Sequence, residues 1–291
     1  MSINIFHLEQ LMRSIEYIEK NLKSSFSIND VAEYTGYSLY HFIRIFNTYT
    51  GHSPYDYIMR RRLSQAALEL NNSSCRITDL AFDYSFNNVE TFSRAFRKMF
   101  GILPNQFRKD SPAKGIVLRN PMTYEYLSFI NSEMNKIPGK MIMPEIKLLC
   151  TFSETQGKEI IPLCNKLKSS VSGTGNLEEE DTFYSLLLNP KNRLKSPSPK
   201  KLFNLPDMIC IKVSSLDSIP DIAFGKIISS SQYACFICKA HRETQYAYEY
   251  IFQTWLPVSN LKHSEPFVLE HILFDRNDMN YSSSEILIPI E

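Results

Sequence analysis

No stretch of the 291-residue chain approaches the roughly 18 uncharged apolar residues of a membrane-spanning helix, so a helical membrane protein is excluded. Charge of one sign is also lacking. The formal net charge is +1, with thirteen basic against eleven acidic residues up to Asp110 and nineteen against twenty beyond it. Neither half is a polybasic tail, so any reading as a nucleic-acid binder must rest on where individual cations sit. The six cysteines, at 75, 150, 164, 210, 235 and 238, follow no framework spacing and are expected to be reduced thiols. Cys235 and Cys238 form CFIC, but their segment reads as a strand, where residues three apart point to opposite faces, and no second pair completes a zinc site. No metal and no cofactor is expected. The N-terminal MSINIFHLEQLMRSIEYIEK lacks a basic region followed by a continuous apolar core, and its apolar residues are spaced helically. A mature, cytoplasmic protein with no membrane partner is expected.

What the chain does have is a repeat. Asp30-Val31-Ala32 returns as Asp79-Leu80-Ala81, and Phe42, Arg44, Phe46, Gly51 and Pro54 return as Phe92, Arg94, Phe96, Gly101 and Pro104. The offset grows by one residue in the turn between the two sets. Each copy is punctuated as helix, tight turn, helix: Ser27 to Asp30 offers an N-cap, Gly36 suits a left-handed turn residue, Ser38 caps the next helix, and Gly51 stops it. In the second copy Ser85 stands where the first has glycine. If that residue is left-handed, serine costs about 1 kcal/mol. Between the copies, YDYIMRRRLSQAALELN carries Tyr57, Leu63, Ala67 and Leu70 at helical spacing without Gly or Pro, which predicts one continuous linker helix. Beyond Phe107 the polar KDSPAKG is followed by alternating apolar runs. The expected organisation is an all-α tandem helix-turn-helix domain over 1–110, a linker over 111–120, and an α+β domain over 121–291.

In FIRIF and FSRAF the phenylalanines are four apart and share a helix face, while the arginine lies about 200° away. With the phenylalanines in the core, Arg44 and Arg94 point outward. The outward arc of the first helix also takes in Tyr40 and Asn47, flanked by Ile43; that of the second takes in Glu90, Arg94 and Arg97, beside Ser93. Paired helices carrying arginine, amide and aromatic groups suit major-groove reading, because arginine can bind guanine bidentately. A solvated helix face is the alternative for one arginine; two in register favour a reader. Glu90 has two readings, an acceptor for a cytosine amino group or an ion-pair partner for Arg94 four residues on. Arg60, Arg61 and Arg62 read either as phosphate contacts, Arg61 foremost, or as a solvated basic patch.

With YDYIMRRRLSQAALEL and ITDLAFDYSFNNVETFSRAFRKMFGILPNQFRK, the chain resembles the AraC/XylS family of bacterial transcription regulators over about residues 8 to 109. The resemblance implies recognition helices at 38–48 and 88–98. It places Leu39, Tyr40, Ile43 and Arg44, with Asn88, Val89, Glu90, Ser93 and Arg94, at base-facing positions. Double-stranded DNA, bound as a monomer, and RNA polymerase are the implied partners. Ile43, Val89 and Glu90 depart from the longer polar readers common there, so the operator is not inferred from relatives. A linker helix from Tyr55 to Leu70 spans roughly 24 Å, short of the roughly 34 Å between successive major grooves, which predicts bent DNA or one shallowly seated helix.

The second domain reads as TYEYLSFI, MPEIKLLCTF, a helix near 160–171, DTFYSLLLN, DMICIKV, QYACFICKA, a helix near 243–256, FVLEHILF and EILIPIE, all strands except the two helices named. The acidic run 178–181 and LKSPSPKK at 194–201 read as solvated loops. In FVLEHILF, Glu270 shares a stripe with Val268, Ile272 and Phe274, an acid on an apolar face. A buried carboxylate needs protonation, an internal cation, solvent at a strand end, or a bound cation. Tyr246, Tyr250 and Trp255 nearby would wall an amphipathic cation. QYACFICKA, FQTWLPVSN, FVLEHILF and EILIPIE resemble the GyrI-like effector-binding domain, a duplicated strand-helix-strand sensor of lipophilic or cationic small molecules. The resemblance puts Glu270 on its central glutamate and Trp255 on its aromatic wall, with Tyr246, Tyr250 and Phe236 as further ligand-binding candidates. The order of domains is that of Rob-like members. The alternative is a C-terminal domain that sequesters the regulator or contacts another protein without a ligand. An enzyme is not expected: alkyl-repair proteins with such helices need a zinc-cysteine module and a PCHR-type cysteine, which the sequence lacks, and hydrolysis by some GyrI-like proteins is the one enzymatic precedent.

Overall fold

The computed structural model describes residues 5–72, 75–110, 119–134, 138–152, 160–178, 182–188, 208–239, 241–274 and 281–291. Most of the expected 111–120 linker, residues 179–181 of the acidic run, and LKSPSPKK lie outside the described residues. The chain divides into two compact units at Ser132/Glu133.

In the first unit, α1 (Ile5–Lys20) buries the stripe Leu8, Leu11, Ile15 and Ile18. The first repeat follows as α2 (Ile28–Tyr34) and α3 (Leu39–Thr50), and the second as α5 (Ile77–Asp83) and α6 (Val89–Phe100). Helix α4 (Pro54–Asn72) joins them, and α7 (Pro104–Asp110) closes against α4 and α6. Ser27 and Asp30 form a reciprocal capping box at the start of α2, satisfying two otherwise orphaned amides. Ser38 occupies the N-cap of α3 but makes no side-chain cap bond. The turn residues match across the repeat in backbone and differ in chemistry: Gly36 has φ 73° and Ser85 φ 59°. Phe42, Phe46, Phe92 and Phe96 are buried, as are Tyr57, Leu63, Ala67 and Leu70 of the linker helix.

The segment TYEYLSFI, expected as a strand, is helical. Thr123 caps α8 (Tyr124–Phe129) by accepting from the Tyr126 amide at 3.2 Å, and the helix continues as a π turn through Met134. Tyr126, Leu127 and Ile130 are buried, and α8 packs on α1. A short run fits both periods, and the cap with its tertiary partner decided for the helix. The first unit consequently reaches Ser132, further than residue 110.

The second unit is one eight-stranded sheet of β1 (Gly139–Met143), β2 (Ile146–Phe152), β3 (Thr182–Leu188), β4 (Met208–Val213), β5 (Phe224–Ile228), β6 (Ser231–Cys238), β7 (Phe267–Phe274) and β8 (Tyr281–Pro289). Its order is β1-β6-β8-β7-β3-β4-β2-β5, and every pairing is antiparallel. The order encodes a duplication. In β2-α9-β3-β4, with α9 at Ile160–Val171, the first strand lies outermost, the third between, and the second innermost; β6-α10-β7-β8, with α10 at His241–Tyr250, repeats that order. The α+β expectation of a doubled strand-helix-strand domain therefore holds. Cys164, Leu167 and Val171 of α9 pack on one sheet face, against Phe183, Ile209 and Ile272. On the other face, Ile146 and Ile228 near one edge cluster with Met143 and Tyr233 near the other, so the sheet curls on itself.

One cysteine pair departs from the expectation of free thiols. Cys150 on β2 and Cys210 on β4 stand directly opposite in register, with Cα atoms 4.1 Å apart, and are joined as a disulfide. Sixty positions separate them, and only strand pairing brings them together. Cys75, Cys164, Cys235 and Cys238 are free.

Candidate nucleic-acid interface and buried carboxylate

The two repeat helices present their outward arcs to solvent. On α3, Leu39, Tyr40, Arg44 and Asn47 are exposed and Ile43 is half-buried; Tyr40 is 80% exposed. Arg44 Nη2 lies 3.2 Å from His41 Nδ1 on the preceding turn. On α6, Glu90, Arg94 and Arg97 are exposed, with Val89 and Ser93 half-buried. Asn88 is the N-cap of α6, its Oδ1 accepting from the Thr91 amide at 2.8 Å, so its side chain is engaged in starting the helix. Among the described residues Glu90 and Arg94 form no ion pair, leaving the arginine fork open.

The linker arginines divide. Arg61 is only 2% exposed. Its guanidinium holds Glu19 of α1 through Nε to Oε1 at 2.8 Å and Nη2 to Oε2 at 2.6 Å, and it also donates to the Arg119 carbonyl. Tyr57 adds a hydrogen bond to Glu19 at 3.0 Å. The expectation of Arg61 as a phosphate contact is therefore corrected: one helix turn faces several ways, and this turn directs its middle arginine into the interface with α1. Arg62 is also buried, donating to the Ser24 carbonyl at 2.8 Å and stacking over Phe26 at 5.2 Å. Burial lowers its pKa. Arg60 alone of the three keeps substantial exposure, paired with Asp56 at 2.7 Å.

In the second unit Glu270 lies at the midpoint of the central strand pair. The β3/β7 register runs from Thr182 opposite Leu273 to Leu188 opposite Phe267, and Ser185 faces Glu270. The Ser185 hydroxyl donates to Glu270 Oε2 at 3.4 Å, and both residues are buried. On the other side Glu270 registers with Ile286, which registers in turn with Phe236. Phe236 is therefore two strands away, about 10 Å. Its ring meets Trp255 edge-on at 4.9 Å. Tyr246 and Tyr250, one turn apart on α10, are half-buried, and α10 packs on β6 and β8. Burial raises the Tyr250 phenol's pKa. The Cys238 thiol is pushed up by burial and then by the charges of Glu270, Glu243 and Glu133.

Ser185 escaped the sequence reading. It is a polar residue on the inward stripe of DTFYSLLLN, the same signal that singled out Glu270 in FVLEHILF. No group of three or more metal-ligating side chains occurs among the described residues.

Comparison with known proteins bears on both units. Residues 22–110 match a helix-turn-helix domain family, and the matched span contains both repeats and the linker. A 106-residue segment is 33% identical to the HTH-type transcriptional activator AarP of Providencia stuartii, covering 36% of this chain and 78% of that protein. The chain belongs to the AraC-type helix-turn-helix family. Other AraC-type relatives are longer than the segment they share with it. The transcriptional regulator Rob of Salmonella typhimurium is 37% identical over 106 residues, 36% of this chain and 37% of Rob. The right origin-binding protein of Escherichia coli is 36% identical over 139 residues, 48% of this chain and 43% of that protein. This AraC-type chain carries a second family match, residues 148–291 to the GyrI-like small molecule binding domain, which covers the disulfide, Ser185 and Glu270. No helix among the described residues is long and apolar enough to cross a membrane.

Proposed function

We propose that the protein is a sequence-specific transcription regulator that reads duplex DNA with α3 and α6 and is tuned by a lipophilic cation held at Glu270. The observation that carries the reading is the pair of equivalent, solvent-facing arginines, Arg44 and Arg94, each projecting from the second helix of a helix-turn-helix repeat. Arg44 and Arg94 are the base readers; Leu39, Tyr40, Ile43 and Asn47 on α3, and Val89, Glu90, Ser93 and Arg97 on α6, supply apolar, amide and flanking contacts. Two readers on one chain lengthen the operator without a dimer, so the protein binds DNA as a monomer. By analogy with AraC-type activators, RNA polymerase is its partner at the promoter.

The effector reading rests on chemistry. A buried carboxylate with a serine hydroxyl as neighbour, in a domain whose α10, packed on β6 and β8, carries Tyr246 and Tyr250 and whose Trp255 meets Phe236, suits a cation with an aromatic or alkyl body. The test is selection of bound fragments from random duplex DNA, with and without tetraphenylphosphonium. The expected result is one enriched motif whose retention changes with the cation. No enriched motif would overturn the regulator reading; a motif indifferent to every lipophilic cation would favour a C-terminal domain that contacts another protein.

A further inference from the structure

Arg44 and Arg94 are equivalent in the repeat but differ in how they are held. Arg44 Nη2 donates to His41 Nδ1 at 3.2 Å, one turn back on α3. A guanidinium has no acceptor, so the bond exists only for a neutral His41 ring that carries its proton on Nε2. The ring is itself gripped. Tyr37, in the turn before α3, meets it edge-on at 4.9 Å, and His7 of α1 meets it edge-on at 5.9 Å. His7 is fixed in turn by the Tyr37 hydroxyl, 2.7 Å from its Nδ1, and by the ring of Tyr49 from the last turn of α3, 6.1 Å away. His7, Tyr37, His41 and Tyr49 are all half-buried, whereas Arg44 is exposed. Contacts on two sides restrict the ring's rotamers, so His41 is a fixed acceptor.

The second repeat has no counterpart. Thr91 stands where α3 has His41, its amide bonded to Asn88 Oδ1 at 2.8 Å, and Arg94 makes no hydrogen bond or ion pair among the described residues. The charged and titratable groups facing His41 are His7 from α1, Tyr37 from the turn and Arg44 on its own helix. Burial, and then Tyr49, raise the Tyr37 phenol's pKa, so it adds no charge. No carboxylate pairs with either imidazole among the described residues.

We infer that His41 is the positioning residue of the first recognition helix: its bare Nδ1 orders the Arg44 guanidinium for a base edge, and protonation of the ring releases it. The inference rests on the reading of Arg44 as a base reader. His41 takes one of the guanidinium's five N–H groups and leaves four for the base. An arginine already ordered loses less conformational freedom on binding, which is worth about fivefold in discrimination. A proton on Nδ1 removes the acceptor and sets a second positive charge against Arg44, while adding a cation beside the duplex. Acid therefore costs discrimination at the base pair read by Arg44, but neither affinity for DNA in general nor discrimination by Arg94.

Competition gel shifts of the full-length protein across the range in which imidazoles charge, from about pH 8 to about pH 5.5, test the inference. The two base pairs are located as those whose preference is lost in Arg44→Ala and in Arg94→Ala. Discrimination at the Arg44 base pair should fall about fivefold on acidification, with no fall at the Arg94 base pair or on random DNA. His41→Phe keeps the ring packing without the acceptor and should discriminate poorly at every pH. His41→Asn keeps an acceptor near the place of Nδ1 that does not charge in this range, and should discriminate well at every pH. Circular dichroism follows the helical content of each variant. Full discrimination in His41→Phe, an unchanged pH dependence in His41→Asn, or a parallel fall at the Arg94 base pair would each overturn the positioning role while leaving Arg44 a reader. Equal losses on all sequences in Arg44→Ala would instead remove the base-reader assignment itself, and the positioning role with it.

Discussion

Ser185 and Glu270 face each other at the midpoint of the β3/β7 pair, where the two halves of the duplicated sheet meet. Equivalent places in the two halves thus carry a neutral hydroxyl and a carboxylate.

Glu270→Gln keeps the shape and a hydrogen-bond acceptor for Ser185 but removes the charge. The affinity for tetraphenylphosphonium, read as a thermal shift, should fall about tenfold or more, because the charge-paired part of the interaction is lost while the aromatic walls remain.

Arg94→Ala should weaken binding to the selected operator by about 1 to 3 kcal/mol and relax preference at one base pair, with little change on random DNA. Competition gel shifts measure both quantities. Equal losses on the two DNAs would assign Arg94 to the phosphate backbone instead.

The linker helix α4 has 19 residues, about 28 Å at 1.5 Å per residue, against the roughly 34 Å between successive major grooves on one face of straight DNA. With both reading helices seated, the duplex bends toward the protein. Circular-permutation gel shifts should show mobility that depends on operator position, whereas uniform mobility with footprints in both grooves would argue for straight DNA.

Arg61→Ala leaves Glu19 in the α1–α4 interface without its bidentate partner, and should destabilise the first unit by about 3 to 5 kcal/mol in chemical denaturation. DNA binding then falls with the folded fraction. Arg60→Ala, at a half-buried position whose ion pair with Asp56 is open to solvent, should leave stability within about 0.5 kcal/mol.

Ser85→Gly should stabilise the protein by about 1 kcal/mol, since the residue is held at φ 59° and glycine has no Cβ to strain there. Gly36→Ser, the reciprocal change at φ 73°, should destabilise by a similar amount. Urea midpoints of both variants check the sign.

Local rules made much of the fold legible. The repeat, the left-handed turn at position 85 and the buried phenylalanine rows all follow from spacings of a few residues, because a helix places residues three and four apart on one face whatever surrounds it. Strand alternation likewise marked Glu270 as an acid on an apolar stripe. TYEYLSFI was not legible, since six or eight residues satisfy both periods and the Thr123 cap and the contact with α1 had to choose. Arg60, Arg61 and Arg62 are chemically alike in the sequence, and their roles diverged only because Glu19 and Ser24 approach α4 from one side.

The chain alone determined most segments as helices or strands, TYEYLSFI excepted, and which side chains each element offers on each face, because those depend on local sterics and periodicity. Tertiary structure alone decided which groups meet: Cys150 with Cys210, Ser185 with Glu270, and Arg61 with Glu19. These pairings span separations of 42 to 85 residues, over which no local rule carries information, and the free energy that selects them comes from closing the core as a whole.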